Sequence, residues 1–132
     1  MAGTLVIDTL KSSTTGAPTF QNTSGTEVGQ LCKAWVNFNG VTTATIRASF
    51  NVSSITRNAA GDYTVNFTNA LPDANYTAIA SGNGTTITDY NNTINIPFND
   101  APTTSSVRLK AVDSGSTIIA RDMLYVSVAI FR

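Results

Sequence analysis

Short stretches in which apolar and polar residues alternate recur along most of the chain. The clearest covers residues 63–68, where Tyr63, Val65 and Phe67 alternate with Thr and Asn residues. Successive side chains of an extended strand point to opposite faces, so a period of two places the apolar residues on one face. This stretch therefore predicts a strand with one buried face.

Similar stretches predict further strands. They cover residues 3–10, 33–38, 44–55, 76–81, 93–98, 106–113 and 124–131. The 93–98 strand contains Pro97 and is expected at a sheet edge, since proline cannot donate to a central ladder. No stretch shows a sustained helical period. About eight short strands separated by turn residues predict an all-β antiparallel sandwich, either jelly-roll or immunoglobulin-like.

The segment 33–76 holds the single tryptophan and predicts the faces of several strands. In its first strand, Ala34, Val36 and Phe38 alternate with Trp35 and Asn37. Asn39-Gly40 follows, a dipeptide typical of hairpins. In the next strand Ile46, Ala48, Phe50 and Val52 are expected on one face. Its Phe50-Asn51-Val52 segment is compatible with a bulge or a bend. We expect the aromatics of this segment to build the core and the subunit contacts; they are Trp35, Phe38, Phe50, Tyr63 and Phe67.

The first 30 residues differ from the rest. Residues 11–30 are polar, contain several glycines and a proline, and carry the single aromatic Phe20. A structureless connection of about 20 residues is unusual inside a compact domain. We therefore predict an N-terminal strand or arm over residues 1–30 that leaves the domain and contacts a neighbour, with Phe20 as an assembly contact. A surface loop covered by Phe20 is the alternative. The sandwich domain is assigned to residues 31–132.

The charge composition argues against a nucleic-acid-binding or membrane-binding surface. Charged residues are only 12% of the chain and the formal net charge is zero. A basic surface for nucleic acid is therefore not expected, nor is a polybasic membrane patch. No apolar run approaches the length of a membrane span, and the first residues lack the features of a signal peptide. A weakly charged surface is poorly protected against association, which favours a protein that assembles with itself.

The residue types needed for common catalytic and metal sites are scarce. The chain has no histidine, and Cys32 is the single cysteine. A histidine-based triad, a zinc site and an intramolecular disulfide are thus excluded. Most of the aspartates fall in predicted turns, where Asp serves the backbone. We expect no enzyme activity, no cofactor and no metal, and we assign Cys32 to packing.

A loop predicted at residues 82–92 is the best candidate for ligand contact. It combines Tyr90 with three polar residues that could bind a sugar: Asn83, Thr86 and Asp89. An ordinary exposed loop tyrosine is the alternative. Trp35 lies within an apolar strand, which favours packing in the core or at a subunit interface over a role as a sugar platform.

Three segments resemble a module that recurs in tailed-phage tail-fibre and other virion appendage proteins. They read AWVNFNG at residues 34–40, TIRASFNVSSIT at 45–56 and GDYTVNFTNALPDANY at 61–76. GTLVIDTLKSSTTGAPTFQN, at residues 3–22, is similar to the segment that often precedes this module. The region after Gly82 departs from the pattern.

The resemblance implies a non-enzymatic virion structural protein made in the bacterial host cytoplasm, assembled as a homotrimer. One interpretation is a small fibre or receptor-binding protein. Its N-terminal arm would contact other virion proteins and its loops a host-surface glycan. The alternative is a capsid decoration, or cement, protein. A carbohydrate-binding or immunoglobulin-like module is a third class. The resemblance assigns no binding residue.

Overall fold

The computed structural model describes residues 3, 7, 9–11, 18–85, 92–114 and 118–132. The described residues form eleven strands and no helix. The chain divides into two compact units, residues 1–31 and residues 32–132. The fold class predicted from the alternating pattern is confirmed: the protein is all-β and its larger unit is an antiparallel sandwich.

The described part of the first unit contains a short hairpin where the sequence predicts a loop or extended arm. Strand β1 (Phe20–Gln21) pairs antiparallel with β2 (Glu27–Gly29). The Asn22 side-chain carbonyl accepts hydrogen bonds from the backbone of Ser24 and Thr26 at 3.0 and 2.9 Å. Such side-chain bonds favour a turn, which lets this polar stretch pair with itself. Of the strand predicted at residues 3–10, residues 4–6 and 8 lie outside the described residues.

The second unit is built from two sheets. One sheet has the order β4-β3-β11-β7, and the other has the order β10-β9-β6-β5 with β8 also paired to β9. The strands are β3 (Cys32–Asn39), β4 (Thr45–Phe50), β5 (Val52–Ala59), β6 (Asp62–Phe67), β7 (Thr77–Asn83), β8 (Asn92–Asn95), β9 (Ser106–Ser114), β10 (Ile118–Ala120) and β11 (Tyr125–Phe131). Every pairing is antiparallel. As predicted, β8 is an edge strand.

The core lies between the two sheets. Phe38 of β3 meets Tyr63 of β6 edge to face, with 5.2 Å between ring centroids, and both are fully buried. Each strand supplies its inward residues, and the buried members of β3, β6, β9 and β11 follow the period of two. The largest fully buried side chains are Val36, Phe38, Tyr63, Val65, Val107, Leu109, Met123, Val126 and Ile130.

The predicted face of the 44–55 stretch is wrong. The pairing of β4 with β3 slips at Arg47, so Ile46 packs toward the core while Phe50 lies outside and is 55% exposed. Asn51 then takes a φ of 55°, and the chain passes from one sheet to the other. The bulge inside β4 thus turns Phe50 outward, and the left-handed Asn51 divides β4 from β5.

The Asn39-Gly40 hairpin forms, but with a longer loop than the dipeptide predicts. The connection between β3 and β4 covers residues 40–44, and the positive φ of 58° is at Thr42. Gly40 is needed for another reason. A Cβ there would lie 2.4 Å from the Tyr63 hydroxyl oxygen, closer than real contacts allow.

Candidate functional site

A row of apolar side chains crosses the outer face of the sheet β4-β3-β11-β7. Trp35 is paired with Phe50 on one side and with Ala129 on the other, and Ala129 is paired with Ile79. Phe50, Trp35 and Ile79 are 55%, 40% and 58% exposed. We call the outward side of this sheet, centred on these four residues, the Trp35 face.

A second, more polar row runs beside the first one. Asn37 is paired with Ala48 and with Ser127, and Ser127 with Ser81. The Asn37 amide donates to the Ser127 hydroxyl at 2.9 Å. Between the two rows lies an open depression of about 340 Å³, lined mainly by apolar atoms. The Trp35 face therefore offers apolar surface with a few oriented polar groups, a combination typical of binding surfaces.

Tyr125 extends the Trp35 face toward the start of β11. Its ring is 53% exposed, and the Arg47 guanidinium carbon lies 4.3 Å from the ring centroid. Arg47 also donates to the Leu124 carbonyl at 2.7 Å, which fixes the guanidinium in place. The bulge at Arg47 that displaces Phe50 outward thus also positions a cation over an aromatic ring.

The outer face of the other sheet is different in character. There the Asn66 amide donates to the hydroxyls of Ser54 and Thr56, both at 3.1 Å, and Asn58 donates to the Thr64 hydroxyl at 3.0 Å. These cross-strand bonds join polar side chains of β5 and β6. One side of the sandwich is thus polar and hydrogen-bonded within itself, whereas the other exposes aromatic and aliphatic groups.

Ion pairs hold two carboxylates of the second unit that are largely shielded from solvent. Asp62, only 3% exposed, accepts bonds from Arg108 at 2.7 and 2.8 Å and another from Lys110. The Arg108 bond, more than any other contribution, holds the pKa of Asp62 well below its usual range. Such a carboxylate stays ionised and cannot act as a general acid near neutral pH.

Asp122 joins the second ion pair. Burial by itself would raise the pKa of Asp122, but hydrogen bonds from Arg57, the Gly61 backbone and Tyr63 outweigh it and leave that pKa lowered. The Arg57 bond is 2.7 Å long and the Tyr63 bond 2.9 Å. These partners sit at the end of the core, so Asp122 braces the sandwich.

The described residues contain no group of three or more potential metal ligands. Cys32 is a free thiol, partly buried, and its Sγ donates to the Ala34 carbonyl at 3.1 Å. Within the part of the chain that the structure describes, no helix is long and apolar enough to cross a membrane.

The structure describes three of the predicted contact residues, Asn83, Phe20 and Trp35. Asn83 is exposed at the end of β7, opposite Tyr125, whereas Thr86, Asp89 and Tyr90 lie outside the described residues. Phe20 belongs to the β1-β2 hairpin and is 43% exposed. Trp35 is the predicted contact that the structure places on an exposed apolar face.

Sequence reasoning missed the neighbours of Trp35 on this face. Phe50 was expected on the same face as Ile46 and Val52, and Ile79 carried no signal of its own. The one available signal was the last strand, which is apolar on both faces and includes Tyr125 and Ala129. Doubly apolar strands are typical of positions covered on both sides.

No family model, no curated protein and no solved structure matches the chain.

Proposed function

We propose that this chain is a non-enzymatic structural protein of a tailed-phage particle, a small trimeric tail-fibre or receptor-binding appendage that assembles through its Trp35 face. The observation that carries the proposal is the row Phe50–Trp35–Ala129–Ile79, exposed on one side of a sandwich whose other side is polar. The phage setting comes from the resemblance of residues 34–76 to virion appendage proteins.

The two sides of the sandwich support assembly by their contrast. Burying one large apolar side chain contributes roughly 1.5–3 kcal/mol. The exposed Phe50, Trp35 and Ile79 therefore hold a substantial driving force for association. The zero net charge adds no long-range repulsion between copies. Contiguous exposed apolar surface of this kind marks interaction sites in soluble proteins.

The state of assembly can be measured directly on the purified chain. We expect light scattering after size exclusion to give three times the chain mass of 13.9 kDa. Trp35 is the single tryptophan, so its fluorescence reports burial of this face without labelling. Dilution should shift the emission to longer wavelength as copies separate. A monomer with solvent-quenched Trp35 at all concentrations would rule out the proposed assembly.

A matched pair of variants locates the interface. Ile79 on the Trp35 face and Ile119 on β10 are 58% and 46% exposed. Ile79→Ser should weaken the oligomer, whereas Ile119→Ser, the same change in the other sheet, should leave it intact. Equal effects of the two variants would show that the Trp35 face has no special role.

A capsid decoration protein is the second candidate. It is favoured by the separate first unit, whose Phe20 and Val28 are 43% and 65% exposed and could contact other virion proteins. Copy number discriminates between the candidates. Quantitative mass spectrometry of purified particles should find tens of copies for an appendage and hundreds for a cement protein. Absence of the chain from purified particles would contradict both.

A further inference from the structure

Phe98 is the most exposed large apolar side chain among the described residues, at 101% of its reference exposure. It follows β8 at the tip of a turn closed by a hydrogen bond from the Asp100 backbone to the Pro97 carbonyl, 3.2 Å long. A fully exposed phenyl ring gains nothing from its own fold. Only a partner that covers the Phe98 ring could therefore gain hydrophobic stabilisation from it.

The turn that carries Phe98 is braced. The Asp100 carboxylate is bound by Arg108. The same guanidinium donates to Asp62 at 2.7 and 2.8 Å, and Asp62 is buried in β6. The turn that carries Phe98 is thus held by ion pairs that reach the buried Asp62 carboxylate of β6. A turn that is already ordered loses less conformational entropy when it is bound than a flexible one does.

The depression in the Trp35 face has the size and chemistry to receive such a ring. It measures about 340 Å³, and Trp35, Ile79 and Ala129 supply much of its apolar lining. A cavity of about 150 Å³ is enough to hold benzene. Phe98 does not fill this depression in its own chain, because the ring is fully exposed.

The Phe98 ring and the depression lie on different parts of the sandwich. β7 and β8 lie against each other at one edge of the sandwich, and Phe98 follows β8. The depression lies on the outer face of β3, β11 and β7. Contact between an edge and a face uses two different patches, and such heterologous contacts form rings when the rotation closes. A homotrimer needs a contact of this kind.

We propose that Phe98 of one copy inserts into the Trp35-face depression of the next copy. The inference rests on the proposed self-assembly and specifies its contact. Three such insertions would close a trimeric ring, each edge covering the apolar row of its neighbour. We expect Phe98→Ala to weaken each contact at least tenfold, the change that corresponds to about 1.4 kcal/mol.

Variant pairs test the contact against the wider proposal. Sedimentation equilibrium is measured for the wild type, Phe98→Ala, Ile79→Ser and the double variant. Because Phe98 is fully exposed, its removal should leave the fold intact. If the two residues meet, each single variant weakens association and the double variant adds little more. Additive effects, or full association of Phe98→Ala, would overturn the insertion. If Ile79→Ser alone dissociates the oligomer, the Trp35-face assembly stands without it. A monomeric wild type would overturn both proposals.

Disulfide trapping gives a positive readout. Phe98→Cys and Ile79→Cys are combined in a Cys32→Ser background and oxidised. We expect covalent dimers and trimers on a non-reducing gel, since a bridge needs Cα atoms within about 7 Å. The control combines Phe98→Cys with Ile119→Cys and should remain uncrosslinked. Equal crosslinking of both pairs, or none in the first, would contradict the insertion.

Discussion

The Tyr63 hydroxyl donates a hydrogen bond to the Asp122 carboxylate, 2.9 Å away, and accepts one from the Met123 backbone at 3.1 Å. Tyr63 is fully buried, so one phenol joins the start of β6 to the segment that leads into β11. Burial, the largest influence, raises the pKa of this phenol well above its usual value. The hydroxyl therefore stays protonated and remains a donor.

Removing this hydroxyl should destabilise the protein without changing its shape. Tyr63→Phe leaves the buried Met123 N–H without its partner, and an unsatisfied buried donor costs about 1–3 kcal/mol. The urea midpoint should fall accordingly at a fixed protein concentration. Tyr125→Phe removes a hydroxyl from a ring that is 53% exposed and serves as the control. Equal midpoints for the two variants would contradict the role of the Tyr63 bonds.

Gly40→Ala should destabilise the protein by steric overlap. The added Cβ would lie 2.4 Å from the Tyr63 hydroxyl oxygen and 2.6 Å from the ring carbon that carries it. Tyr63 is buried and hydrogen-bonded, so it cannot move aside, and overpacking typically costs about 1–3 kcal/mol. Thermal unfolding measures the loss. Gly3→Ala, where nothing lies within 4 Å, should be nearly neutral. If Gly40→Ala has no effect on stability, the end of β3 can move away from Tyr63 of β6 at no cost.

Asp62 should make stability depend on pH in the acid range. Its folded pKa lies below the usual 3.8, chiefly because of the Arg108 bond. A lowered folded pKa gives stability that is present above the unfolded value and is lost as pH falls through the folded one. The unfolding midpoint should thus drop from about pH 4 downward. Asp62→Asn, less stable at neutral pH, should show a flatter acid slope.

A second carboxylate serves as the control for Asp62. Asp73 pairs with Arg132, which lowers the pKa of Asp73 to about 2. Both side chains of this pair are more than a third exposed, so salt near 1 M, with a Debye length of about 3 Å, should largely screen it. Asp62→Asn should retain its effect in high salt, whereas Asp73→Asn should lose its own. The same salt response in both variants would contradict the claim that burial protects the Asp62 ion pair from screening.

Replacing Asn51 by alanine should destabilise the protein more than replacing it by glycine. It holds a φ of 55°, donates to the carbonyls of Lys33 and Asn69 at 3.1 and 3.2 Å, and accepts from the Asn69 backbone at 2.8 Å. Both variants lose these bonds, but alanine also bears the strain of the left-handed region, about 1–2 kcal/mol. Urea unfolding should rank the wild type first and Asn51→Ala last. Equal stabilities of Asn51→Ala and Asn51→Gly would mean that the backbone at residue 51 changes conformation to relieve the strain.

Much of the sandwich could be predicted because burial on one face of a strand leaves a period of two. Tyr63, Val65 and Phe67 were expected on the buried face of their strand and are buried. The prediction failed at Phe50. A bulge at Arg47 shifts the register by one residue, and such a shift turns every following side chain to the other face. Nothing in the local alternation marks that slip.

The Trp35 face shows what local pattern determines and what it leaves open. The sequence by itself placed Trp35 opposite the core-facing residues of its strand, identified an all-β chain, and indicated a surface with few charges. Only the tertiary structure brought Phe50, Ala129 and Ile79 into one row with Trp35. These residues come from four strands, and their contact depends on β11 lying between β3 and β7. Period and composition act within one strand, whereas the order and register of strands follow from burying all their inner faces together.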